Sequence, residues 1–200
     1  MKVVGLTGGI GTGKSTVSAY LIQKNIPIVD ADRISRMLTA DGSPLLEDVR
    51  HLLGDEAFHP DGSLNRQKVA DMIFSDSQLL KAYEALITAE AARQCLIQLD
   101  LLRVSGKYSL AVLDAPLLFE CGLQDKTDEV WVVDADINVR IARVMARDGL
   151  SEDAIRDRIN RQMPSSEKAA LADYVIDNSG TLEQLYVQID RLLERTGYEG

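Results

Sequence analysis

The sequence predicts an α/β fold of three layers, with helices on both sides of a central parallel sheet of about five strands. Two observations predict it. Short apolar runs at residues 2–7, 26–29, 110–113, 130–133 and 174–176 are separated by segments of helical spacing. That alternation is the signature of βα units, whose strands are buried on both faces. The last four runs are followed by Asp30, Asp114, Asp134 and Asp177, and in an open α/β sheet the carboxyl ends of the strands are the edge where ligands sit. Two hundred residues, 46% hydrophobic and 26% charged, are enough for one domain with a full core.

Each element has its own signal. The first strand runs directly into GLTGGIGTGKST, residues 5–16, and from Lys14 onward Val17, Tyr20, Leu21 and Lys24 fall at helical spacing. The second strand ends at Asp30-Ala-Asp32, with a helix expected near Ile34. Residues 40–105 form an insertion with turn signals at Asp41-Gly42 and Pro60-Asp61-Gly62. Within it Leu80, Tyr83, Ile87, Ala91, Cys95, Leu99 and Leu102 recur every three or four residues, which predicts one long amphipathic helix. A helix from residue 137 is followed by a turn at Asp148-Gly149, and Ser151 caps a further helix through Gln162. Thr181 with Gln184 is a capping box, opening a last helix that presents Leu182, Leu185, Ile189 and Leu192 inward. The expected organisation is one domain with its core at about 1–39 and 106–200, a helical subdomain at about 40–105 and an arginine-rich lid at about 138–165.

Composition removes several classes. A net charge of −9 and a pI near 4.7 argue against wrapping nucleic acid, which needs a basic footprint. No signal peptide and no stretch of membrane-spanning length is evident, so a soluble, cytoplasmic protein is expected. Cys95 and Cys121 lack metal-type spacing and read as structural thiols. The isolated His51 and His59 are assigned nothing.

Gly8-Gly-Ile-Gly-Thr-Gly-Lys14-Ser15 fits G-x-x-x-x-G-K-[ST], the P-loop, between a predicted strand and a predicted helix. Its glycines reach backbone angles closed to other residues, so that amide N–H groups point into one concavity. The helix that follows turns its positive end toward the same anion. Lys14 can span the β- and γ-phosphates of a nucleotide, and the Ser15 hydroxyl is suited to Mg²⁺. A GTPase is disfavoured: Asp125-Lys126-Thr127-Asp128 opens with the wrong residue and precedes a strand, and Asp114-Ala-Pro-Leu117 lacks the glycine of a switch. Phosphoryl transfer from ATP to a small molecule is the favoured class.

Asp30 and Asp32 lie two apart, on one face of an extended segment. Either can take the proton of an attacking hydroxyl, with Asp32 preferred, or can simply cap the next helix. Asp114 can approach Mg²⁺ opposite Ser15 or can be a polar strand end. Arg140, Arg143 and Arg147 share one narrow face of their helix. They form either a lid that clamps phosphates or a solvated surface with salt bridges.

Together these residues resemble the dephospho-CoA kinase family along nearly the whole chain. The resemblance is carried by Gly5–Thr16, Val29-Asp-Ala-Asp32, Asp61-Gly62 to Arg66, Ile73-Phe74, Pro116-Leu-Leu-Phe-Glu120, Arg143 to Arg147-Asp148, Gln162, Ala172-Asp173 and Ile176-Asp-Asn-Ser-Gly180. Pro116–Glu120 is the most distinctive piece. The resemblance implies ATP-dependent phosphorylation of the ribose 3′-hydroxyl of dephospho-CoA, giving CoA and ADP, with ATP and Mg²⁺ required. By it Asp32 is the base, and Lys14 and Arg143 stabilise the transferring phosphoryl. Gly9, Gly11, Thr12, Gly13, Lys14, Ser15 and Thr16 hold ATP, with Arg143, Arg147 and, near the adenine, Asn178. Ser15 and Asp114 face the metal. Asp32, Leu117 and Glu120 serve the acceptor, received by the helical insertion. No nucleic-acid, membrane or obligate protein partner is implied. Two departures are Thr88-Ala89, where many relatives carry His-Pro, and Arg140, where many carry Gln. The alternatives are a P-loop kinase for another nucleotide, nucleoside or sugar, and a non-catalytic ATP sensor.

Overall fold

A computed structural model of the protein describes residues 1–198. In chain order the elements are β1 (Lys2–Gly8), α1 (Lys14–Gln23), β2 (Ile28–Asp30), α2 (Ala31–Leu38), α3 (Leu45–Leu53), α4 (Arg66–Ser75), α5 (Ser77–Ser105), β3 (Leu110–Asp114), β4 (Glu129–Asp134), α6 (Ile137–Asp148), α7 (Glu152–Asn160), α8 (Ser165–Leu171), β5 (Tyr174–Asp177) and α9 (Leu182–Thr196). The five strands form one sheet in the order β2-β3-β1-β4-β5. β1 pairs in parallel with β3, Lys2 opposite Leu110 and Leu6 opposite Asp114, and with β4, Gly8 opposite Val133. β4 pairs in parallel with β5, Asp134 opposite Asp177. This register brings the carboxyl ends of β1, β3, β4 and β5 to one edge.

The central strands β3, β1 and β4 are buried on both faces, as continuous apolar runs require, whereas at the β5 edge Val175 is 47% exposed. Val4, Leu6, Leu110, Val112, Trp131, Val133 and Ile176 pack with Val17 and Leu21 of α1 and with Leu185, Ile189, Leu192 and Leu193 of α9. Their alternates Val3, Ala111, Leu113 and Val132 are equally buried. α9 opens on the expected capping box: the Thr181 hydroxyl accepts from Gln184 N–H while the Gln184 side chain accepts from Thr181 N–H. Leu182, expected to face inward, is instead 56% exposed. It is the first residue of the helix, and a side chain there leans back past the N-terminus instead of onto the core.

The chain divides into two compact units, Met1–Val29 joined with the chain from Gln98 onward, and Asp30–Ile97. The second has its own core of Val49, Leu53, Ala57, Phe58, Leu64, Val69 and Ile73, against which Leu80, Tyr83 and Ile87 of α5 pack. The turn at Asp61-Gly62 lies there. Its Asp61 carboxylate accepts from the Ser63 hydroxyl and N–H, which hold it below the usual carboxylate range. Among the described residues no helix is long and apolar enough to cross a membrane.

Candidate active site

The glycine loop links β1 to α1. Gly11 and Gly13 have φ of +79° and +88°, values that side chains rarely adopt. A Cβ on Gly11 would come within 2.7 Å of the Arg140 carbonyl oxygen, and one on Gly13 would run into the Asn178 amide. The Gly13 carbonyl accepts from the N–H groups of Thr16 and Val17 and so starts the helix. Among the described residues no side chain caps α1 and no acid stands in its first turn, leaving the positive end of the helix facing whatever the loop encloses.

This loop is held from several directions. The buried Thr12 hydroxyl donates to Gly9 O at 2.9 Å. Asn178, 4% exposed, donates from its side-chain amide to Thr12 O at 2.8 Å. Gln162 accepts from Ile10 N–H at 3.0 Å, and Arg140 Nε donates to Ile10 O at 2.9 Å. Both sides of the Ile10 backbone are therefore satisfied from the segment after α6 begins. Asn178, expected near the adenine, is bonded here to the loop backbone.

Lys14 opens α1, and its ammonium donates to Asp114 Oδ1 at the end of β3. The other carboxylate oxygen accepts from the Ser18 hydroxyl at 2.5 Å. The Asp114 and Lys14 side chains are 6% and 16% exposed, so the pair sits in a partly dry setting where charge attraction is strong. Asp114, expected to face Mg²⁺ or to be a polar strand end, ends β3 and holds the P-loop lysine. Ser15 is exposed at the helix start. A hydroxyl and a carboxylate are hard oxygen donors of the kind Mg²⁺ takes alongside phosphates and water, so the residues fit that ion.

The three arginines of α6 have three different fates. Arg140 is 5% exposed; besides Ile10 O it donates from Nη1 to the Ser165 hydroxyl at 2.8 Å, and Asp134 Oδ1 lies 3.9 Å away. Burial lowers its pKa and Asp134 opposes that shift. It is a strut inside the fold, bonded to the loop backbone, with its Nη2 2.6 Å from where a Cβ on Gly9 would stand. Arg143 donates from Nη2 to Asn178 O at 2.9 Å, while its Nη1 is buried and without a hydrogen-bond partner among the described residues. That nitrogen lies 3.7 Å from where a Cβ on Gly13 would stand. A buried orphan guanidinium N–H beside a phosphate-type loop points to an anion. Arg147 is 63% exposed and grips Asp148 with two bonds of 2.7 and 2.9 Å.

The turn after β3 carries Leu117 and Glu120. Leu118 is fully buried, whereas Leu117 is 44% exposed. The Glu120 carboxylate, expected on the acceptor side, pairs with Lys168 of α8 at 2.9 Å. In the other unit, Asp30 and Asp32 do not share one face of an extended segment. β2 stops at Asp30, whose carboxylate accepts from Arg33 N–H at 2.9 Å and caps α2. The capping bond starts the helix at Ala31, so Asp32 stands exposed in its first turn.

Sequence reasoning missed α8 altogether, and with it Lys168, and it gave Gln162 and Arg140 no structural task. Their hydrogen-bond partners are 25 to 152 positions away, beyond any local periodicity. The one available signal for Lys168 was a single charge ahead of Ala-Ala-Leu-Ala, residues 169–172.

Comparison with known proteins adds three findings. A family model described as dephospho-CoA kinase matches residues 2–184. The chain is 38% identical over 196 residues to a dephospho-CoA kinase of Shouchella clausii, covering 98% of this chain and 99% of the relative. Among solved structures it is similar to TT1252 from Thermus thermophilus, with 35% identity, 97% of each chain covered and a TM-score of 0.80. A dephospho-CoA kinase from Campylobacter jejuni, 22% identical and covering 98% and 97% of the two chains, shares the fold with a TM-score of 0.72.

Proposed function

This chain belongs to the dephospho-CoA kinase family, and from that premise we propose how its residues divide the work. The reaction transfers the γ-phosphoryl group of ATP to the ribose 3′-hydroxyl of dephospho-CoA, giving CoA and ADP, the last step of coenzyme A biosynthesis. The observation that carries the residue assignment is the buried, unpartnered Arg143 Nη1 beside a glycine loop that is itself fully braced.

The backbone of residues 9–16 and the head of α1 take the ATP phosphates. Lys14 leaves Asp114 for the β- and γ-phosphates, exchanging one anion for another. Arg143 meets the charge that spreads over the transferring group, where a fixed donor in a dry site is most effective. Arg147 reaches ATP from the outer end of α6. Asn178 serves the nucleotide by holding the loop. Mg²⁺, when bound, neutralises phosphate charge, and Ser15 and Asp114 are the residues that would hold it. Asp32 accepts the proton of the 3′-hydroxyl as the new O–P bond forms. Leu117 lies on the acceptor side.

The test is ADP release with dephospho-CoA, adenosine, AMP or no acceptor, with the product identified by mass. Release dependent on dephospho-CoA and yielding CoA is expected; acceptor-independent release alone would remove the acceptor assignment. Asp32→Asn should keep ATP affinity and lower turnover by roughly 10²–10⁴, the usual worth of a positioned base. Unchanged turnover would take Asp32 out of the mechanism.

A further inference from the structure

Lys168 has no part in the roles above, yet it is the most buried charged side chain among the described residues, at 1% exposure. Its ammonium donates to the Pro116 carbonyl at 2.7 Å and to the Glu120 carboxylate at 2.9 and 3.3 Å. The Glu120 side chain is itself only 26% exposed. Removing an ammonium from water costs several kcal/mol as a rough scale, and an apolar residue of similar length is often no less stabilising at such a site. Stability alone is therefore a poor reason for a lysine here. What the ammonium does and a methyl group cannot do is hold two points of another segment at once.

Those two points bracket Leu117. Pro116 precedes it, and Glu120 follows one turn later. The Pro116 carbonyl also receives the hydroxyl of Thr7, a fully buried residue of β1, at 3.1 Å. Leu118 and Leu123 are buried beneath, with the Leu123 N–H donating to Leu118 O at 2.9 Å. The turn is thus pinned from the sheet and from α8, leaving Leu117 as its exposed apolar side chain. Two residues before Pro116 stands Asp114, the partner of Lys14.

We propose that Lys168 is a positioning residue for the acceptor: its grip on Pro116 and Glu120 fixes the turn that presents Leu117, and Glu120 serves the acceptor through that grip instead of by touching it. The inference rests on the reading above that this turn faces dephospho-CoA. It separates two properties that a purely structural ion pair would move together, namely affinity for the acceptor and affinity for ATP.

Wild type, Lys168→Met, Lys168→Arg and Glu120→Gln would be compared in steady-state kinetics, varying dephospho-CoA and ATP in turn, and by amide hydrogen exchange without substrate. Lys168→Met should raise the KM for dephospho-CoA by roughly 10- to 100-fold, the scale of a misplaced contact. The KM for ATP should stay within about twofold. Exchange should quicken at residues 115–123 and not at residues 8–16. Lys168→Arg should recover part of the loss, and Glu120→Gln should shift the same KM in the same direction by less. An unchanged acceptor KM in Lys168→Met overturns the proposal. Should that variant not fold, an unchanged acceptor KM in Glu120→Gln overturns it equally. Parallel rises in both KM values, with exchange quickened throughout, would make Lys168 an ordinary structural residue. A wild type that turns over no dephospho-CoA would sink the functional reading itself, an outcome distinct from an active wild type with unaffected variants.

Discussion

The glycine loop and the arginine face of α6 lie side by side in this fold, yet they obey different logic. In the loop, residues 8–16, the backbone angles and the chemistry-bearing residues are set locally, although distant residues brace them. Gly11 and Gly13 need their own backbone angles, and Lys14 and Ser15 are fixed in direction by the helix they begin. On α6 three identical side chains at positions 140, 143 and 147 end 5% exposed in the interior, half-buried with an orphan nitrogen, and paired in solvent. Helical spacing sets which arginines share a face. It does not set how deep each lies, because depth depends on what the rest of the chain packs there. A shared face is therefore weak evidence of a shared role.

The sharpest way to break that comparison is Arg143→Ala. If its orphan nitrogen awaits the transferring phosphoryl group, turnover should fall by about 10²–10³, as for loss of one fixed transition-state donor, and ATP affinity should fall far less. Single-turnover rates with ATP binding measured separately would show this. A loss confined to ATP affinity would reduce Arg143 to a binding residue and bring it closer to Arg147.

The same contrast explains what could be read from the residues alone. The five strands, the long helix α5 and the capping box at Thr181 follow from period and cap chemistry, and each lies where its pattern predicts. Asp32 is recognised by type but expected on an extended segment, because the Asp30 capping bond that starts α2 about three residues before Ile34 is a competition between two conformations of the same short segment. The bonding partners of Arg140, Gln162 and Lys168 could not be read, although Arg140 stood among the lid arginines and Gln162 among the residues of the family resemblance. Each spends its polar atoms on backbone or side chains far along the sequence, and composition around them looks like an ordinary solvated helix.

Arg140→Met tests the strut. It removes donors to Ile10 O and Ser165 Oγ and the cation nearest Asp134. Hydrogen bonds from a charged group are worth about 1.5–3 kcal/mol each, partly offset because the buried guanidinium is itself costly. A net loss of about 2 kcal/mol in unfolding free energy is expected, read from denaturant midpoints at constant m. Catalysis should suffer only through the loop, as a higher ATP KM with kcat less affected. A large fall in kcat at unchanged stability would instead mean that Arg140 meets the phosphates, and the three arginines would be one clamp after all.

Arg147→Ala should have the smallest effect. The Arg147–Asp148 pair is between adjacent residues, with side chains 63% and 28% exposed, and exposed pairs contribute little to stability. Thermal stability should therefore barely move. The same weakness lets the guanidinium leave Asp148 for a stronger anion, since phosphate offers a charge-assisted fork that a solvated carboxylate does not exceed. ATP KM should accordingly rise by roughly threefold to tenfold, about the worth of one charged hydrogen bond at an open site, and the rise should shrink as salt screens the contact. Should ATP KM prove indifferent to both the substitution and salt, Arg147 belongs to the solvated surface, and Arg143 is left as the one phosphate-facing arginine of α6.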